Sequence, residues 1–97
     1  MINYFETARE NEAIFRLILD KNGFEHKDLS LDTLFKKYSE GDRRGLQTIL
    51  TFEKKSPNIF AFAWENVASF SGVGRAELWN FENGVLKFIE TTQVWMS

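Results

Sequence analysis

The last 42 residues of this 97-residue chain carry only six charged side chains, Glu65, Arg75, Glu77, Glu82, Lys87 and Glu90, among 21 hydrophobic ones. The first 55 residues hold ten acids and ten bases. An antiparallel sheet with one wet face alternates polar and apolar residues. The C-terminal stretch has too few polar residues to do so along its length. If it is a sheet, both of its faces need cover, and helices from the first half can supply only one of the two. The other must close over a pocket or meet a second molecule.

Length predicts one domain over residues 1–97. A hydrophobic content of 43% and a charged content of 27% exclude a disordered chain. The absence of cysteine excludes a disulfide framework, thiol catalysis and cysteine–zinc sites. No apolar run reaches the length of a membrane span. The opening MINYFETARE has acids where a secretory leader needs a basic and then an apolar region. Together these predict a cytoplasmic protein without a membrane partner. The formal charge of −2 and the lack of a basic stripe argue against a nucleic-acid partner.

Residues 3–20 read as one amphipathic helix. Tyr4, Phe5, Ala8, Ile14, Phe15, Ile18 and Leu19 fall on one side, with Glu6, Arg9, Glu10, Arg16 and Asp20 outside the apolar arc. Asn22-Gly23 supplies a left-handed stop and Phe24 a cover for it. A second helix begins after Ser30, an N-cap, with Leu29 and Leu34 as a hydrophobic staple. Gly41 ends it. Residues 42–53 fit either a short third helix capped by Asp42 or a strand, and the alternation of Leu46, Thr48, Leu50 and Phe52 favours a strand over 46–54. Pro57 marks a turn. Ile59–Trp64 alternates bulky Phe60, Phe62 and Trp64 with Ile59, Ala61 and Ala63, and Gly72 and Gly74 suggest a bend or bulge. Arg75–Glu82 and Val85–Met96 flank Asn83-Gly84, the strongest short hairpin signal. The fold expected is therefore α+β: two N-terminal helices, with a possible short third, on a curved antiparallel sheet of about four strands.

An uninterrupted hairpin ladder sets Trp79 opposite Phe88 and Glu77 opposite Glu90. Two carboxylates in cross-strand contact repel, which favours a proton on one of them. Arg75, two residues along the same face, would neutralise one acid or hold an anion. Glu77, Glu90 and Arg75 are thus the candidate catalytic residues, although a one-residue bulge would separate the acids. Phe60, Phe62, Trp64, Trp79 and Phe88 are the candidate ligand-binding residues, although for the first three a core stripe against the helices is the default reading. His26, the sole histidine, lies in the charged run Glu25-His26-Lys27-Asp28, where a solvated loop residue is the simpler reading than a metal ligand. Arg43-Arg44 beside Asp42 reads as a solvated turn. No metal site and no cofactor are expected.

The element order, and the closing run Gly74-Arg75-Ala76-Glu77-Leu78-Trp79 through Glu82-Asn83-Gly84-Val85-Leu86-Lys87-Phe88 to Val94-Trp95-Met96-Ser97, resemble the last hairpin of NTF2-like and cystatin-like α+β domains. That resemblance implies a sheet wrapped around a conical pocket and an outer face that often dimerises. The catalytic members' His/Asp pair is missing here. The function expected is a non-enzymatic binding or interaction module, homodimeric through its sheet. Two alternatives stand beside it: a pocket protein or enzyme for a small apolar ligand built on Glu77, Glu90 and Arg75, and an immunity-type protein that neutralises a protein partner through its acidic first helix.

Overall fold

The computed structural model describes residues 3–38, 47–68 and 71–96. Three helices precede a four-stranded antiparallel meander, α1 Tyr4–Glu10, α2 Glu12–Lys21 and α3 Leu31–Lys37, then β1 Gln47–Ser56, β2 Ile59–Ala68, β3 Ser71–Glu82 and β4 Val85–Met96 in the order β1-β2-β3-β4. The α+β class follows from the sequence as expected, with strand at 47–53. Residues 39–46, including Asp42, Arg43 and Arg44, lie outside the described residues. The third helix has another origin: the expected helix over 3–20 is broken in two at Asn11. There the backbone leaves helical geometry (φ −131°, ψ 42°), and the Asn11 amide donates to the Thr7 carbonyl at 2.9 Å. Asparagine offers the backbone a local hydrogen bond that competes with the helical ladder.

Local signals set the other helix ends. Asn3 Oδ1 accepts from the Glu6 amide and Ser30 Oγ from the Thr33 amide. At the end of α2, Phe24 N donates to Leu19 O and Gly23 N to Asp20 O, with Gly23 at φ +75°. This is the paired 6→1 and 5→2 arrangement that satisfies a helix's last carbonyls. In the β3–β4 hairpin, Asn83 (φ +53°) and Gly84 (φ +76°) both adopt the left-handed conformation that a two-residue type I′ turn demands.

The helices cover one face of β1 to β3. Ala8, Phe15, Ile18, Leu19, Leu31 and Leu34 bury themselves against Leu50, Phe52, Phe60, Phe62 and Trp79. Phe15 sits at the centre, its ring 4.9 Å from that of Phe52 and stacked on Phe35 at 5.6 Å. Helix α1 lies against β1. On the opposite face of the sheet, small side chains prevail at mid-strand, among them Ala61, Ala63 and Ala76. The glycines of β3 do not interrupt it, because β2 and β3 pair without a break from Ile59–Asn80 to Ala68–Ser71. Gly74 instead makes room for Trp95, whose indole occupies the space a β-carbon would need.

The irregularity falls on β4. Register shifts between Leu78 and Trp79 and between Ala76 and Glu77 make Ile89 and Thr92 extra residues, so Leu78 pairs with Glu90 and Glu77 with Thr91. Ten of the twelve β4 residues are exposed, all but Leu86 and Trp95. Here the fold departs from the expectation of helical cover across the whole of one face. The shield stops short of β4.

Candidate functional site

The bulges correct the expected acid pair. Trp79 and Phe88 do face each other, their rings edge to face at 5.3 Å. One step further the ladder slips, and Glu77 shares a face with Thr91 while Glu90 shares the opposite face with Leu78. Carboxylates on opposite faces cannot share a proton. Glu90 is exposed and Glu77 is only 3% exposed.

Glu77 is buried because it is fully engaged. Its Oε1 accepts from Asn22 Nδ2 at 2.8 Å and from the Trp79 indole N–H at 2.9 Å. Its Oε2 lies 3.1 Å from Arg75 Nε, close enough for charge attraction but without the alignment of a hydrogen bond, which leaves that N–H unsatisfied. Arg75 Nη2 donates to Thr91 Oγ1 at 2.8 Å, and the guanidinium stands 5.9 Å from the Phe88 ring centre. The cluster therefore ties the end of α2 to β3 and β3 to β4. A buried carboxylate needs such partners to remain charged at all.

The aromatic candidates separate into three settings. Phe60 and Phe62 are sealed in the core, Phe60 stacked on Phe52 at 5.5 Å. Trp79 is buried and Phe88 half-exposed beyond it. Trp64 is partly buried and meets Phe24 edge to face at 6.4 Å. Beside Trp64 opens a cavity of about 450 Å³, lined by Lys21, Asn22, Phe24, Trp64, Asn66 and Arg75. Of the sequence-derived candidates, Arg75 and Trp64 come together there. Lys21, Asn22 and Asn66 carry no signal in the linear sequence that would have selected them.

His26 is corrected as well. It is 5% exposed, with Nε2 2.6 Å from Asp20 Oδ1 and Nδ1 3.2 Å from Arg16 Nη1. Arg16 can only donate, so Nδ1 accepts and Nε2 carries the proton toward Asp20. That hydrogen bond from His26 holds the Asp20 carboxyl below the usual carboxylate range. Arg16 also donates to the His26 and Leu29 carbonyls, both at 2.7 Å, and so pins the α2–α3 loop. Sequence periodicity had placed Arg16 on the wet side of the helix, and its ten- and thirteen-residue reach to these carbonyls has no sequence signature. Among the described residues no group of three or more His, Asp or Glu side chains is placed to hold a metal ion, and no helix is long and apolar enough to cross a membrane.

No family model, no curated protein and no solved structure matches this chain.

Proposed function

We propose that the chain is a non-enzymatic interaction module that associates with a second copy of itself through its sheet, with β4 as the contact. The observation that carries this reading is the exposure of β4. Val85, Phe88, Ile89, Val94 and Met96 expose between 44% and 81% of their surface, and Lys87 and Glu90 are the only charges on the strand. A long apolar edge strand pairs readily with another chain unless something covers or charges it. The other edge, β1, is flanked by α1 and carries Glu53, Lys54 and Lys55. The two edges are thus treated differently. The order of helices followed by a four-strand meander is also the element order on which the NTF2-like and cystatin-like resemblance rests.

The partner that fits is a second β4. Leu86, Phe88, Val94 and Met96 lie on one face, opposite Phe81, Trp79, Arg75 and Val73. An antiparallel pair with its two-fold axis at Thr91 sets Phe88 against Val94 and Leu86 against Met96, each twice, as cross-strand apolar pairs. Light scattering at high micromolar concentration should give twice the chain mass of 11.3 kDa. Val94→Lys and Ile89→Lys, at exposed positions the monomer tolerates, should each give the single mass. A wild-type chain that stays at the single mass, or two variants that stay dimeric, would refute the reading.

A further inference from the structure

The geometry points to the cavity between the end of α2 and strands β2 and β3 as a binding site for a small aromatic carboxylate. Its described lining includes two cations, Lys21 and Arg75, and no acid. Glu77 accounts for one positive charge by pairing with Arg75, which leaves one in excess. The donors are specific. The Lys21 side chain makes no hydrogen bond or ion pair among the described residues and feels its neighbour Asp20 only through space. Arg75 spends Nη2 on Thr91 and holds Nε against Glu77, leaving Nη1 without an acceptor among those residues. Asn66 Oδ1 accepts from Thr48 Oγ1 at 2.7 Å, which orients the amide and leaves its Nδ2 hydrogens to donate. Asn22 adds no donor, since both its amide hydrogens are spent on Ile18 O and Glu77. Two carboxylate oxygens match this set of donors. The rings of Trp64 and Phe24 supply an apolar wall against which a flat ring can stack. At about 450 Å³ the cavity falls within the usual range for small-molecule sites. No β4 residue is among its described lining, so the inference does not depend on the dimer.

The test uses the full chain and four probes, benzoate, its neutral isostere benzamide, benzylamine and inorganic phosphate, followed by the three indole N–H resonances in NMR titrations. Benzoate should bind with a Kd of about a millimolar, reasonable for so small a molecule, and should shift the Trp64 resonance rather than those of Trp79 and Trp95. Losing one charge-assisted contact should weaken benzoate by about tenfold in Lys21→Gln, and Lys21→Arg should restore it. Lys21 is exposed and its side chain makes no hydrogen bond or ion pair with the described residues, so both variants should keep the wild-type indole spectrum when free. The proposal is overturned if benzamide or benzylamine binds as tightly as benzoate, if phosphate alone does, if Lys21→Gln leaves the affinity unchanged, or if the shifts fall on Trp79 or Trp95 and spare Trp64.

Discussion

Replacing Glu77 tests whether the buried carboxylate is held by its hydrogen bonds or by its charge. Its Oε1 satisfies two donors, Asn22 Nδ2 and Trp79 Nε1. Glu77→Ala strands both in a site that is 3% exposed. Each unsatisfied buried donor costs about 1–3 kcal/mol, so the loss should be about 4 kcal/mol. Glu77→Gln keeps an oxygen for the same two donors, but it removes the charge opposite Arg75 and turns an amide N–H2 toward a guanidinium N–H that is already unsatisfied. Arg75 is 43% exposed overall, so its guanidinium can turn toward water, and the loss should be about 1–2 kcal/mol, well below that of alanine. A domain of this size has roughly 5–15 kcal/mol in all, so both variants should fold, the first marginally. Urea denaturation measures the two losses, and the Trp79 indole N–H resonance reports whether its acceptor is retained in the glutamine variant. If the two substitutions cost the same, the charge rather than the hydrogen bonds holds the site, and the reasoning fails. A cost below about 1 kcal/mol for alanine would refute it equally.

Three further outcomes follow from the geometry. Arg16→Met should cost about 2–4 kcal/mol by freeing the His26 and Leu29 carbonyls, seen as a lower thermal midpoint; a change within about 0.5 kcal/mol would mean that the loop holds itself. Asp20 has a lowered carboxyl because His26 donates to it first of all. Its stabilising share is therefore complete above the unfolded value of about 3.9 and disappears as pH falls through the lower folded value; urea midpoints between neutral and strongly acid pH should lose that part of their acid slope in Asp20→Asn. Gly74→Ala should cost about 1–3 kcal/mol by displacing the Trp95 ring, and the cost should nearly vanish in a Trp95→Val background, a coupling that a double-mutant cycle reads directly.

Much of the fold is legible in short stretches. Ser30 starts α3, Gly23 ends α2, and Asn83-Gly84 closes the hairpin with the register expected for the four pairs from Glu82–Val85 to Trp79–Phe88. Each depends on hydrogen bonds and sterics within a few residues. The candidate site was legible only in part. Arg75 and Trp64 belong to the cavity, but Glu90 does not approach Glu77, because the extra residue at Ile89 shifts the next two pairs by one and moves Glu90 to the other face. His26 looked solvated among Glu25, Lys27 and Asp28 because its partners Asp20 and Arg16 lie a helical turn and more away.

The amino-acid order alone determined that helices come first and strands after, that Phe60 and Phe62 alternate onto one side, and that the second half holds more apolar surface than the helices of the first half can shelter. These properties reside in periodicity and composition, which neighbouring residues set. Folding in three dimensions decided where the shelter ends and what the leftover surface becomes. The helices reach β1 to β3 and leave β4 bare, two bulges deal its side chains onto their faces, and Lys21, Asn66 and Arg75 meet around one hollow from three separate elements. Such long-range meetings depend on accumulated register and on how far short helices extend over a sheet, and neither quantity is carried by any one segment of the chain.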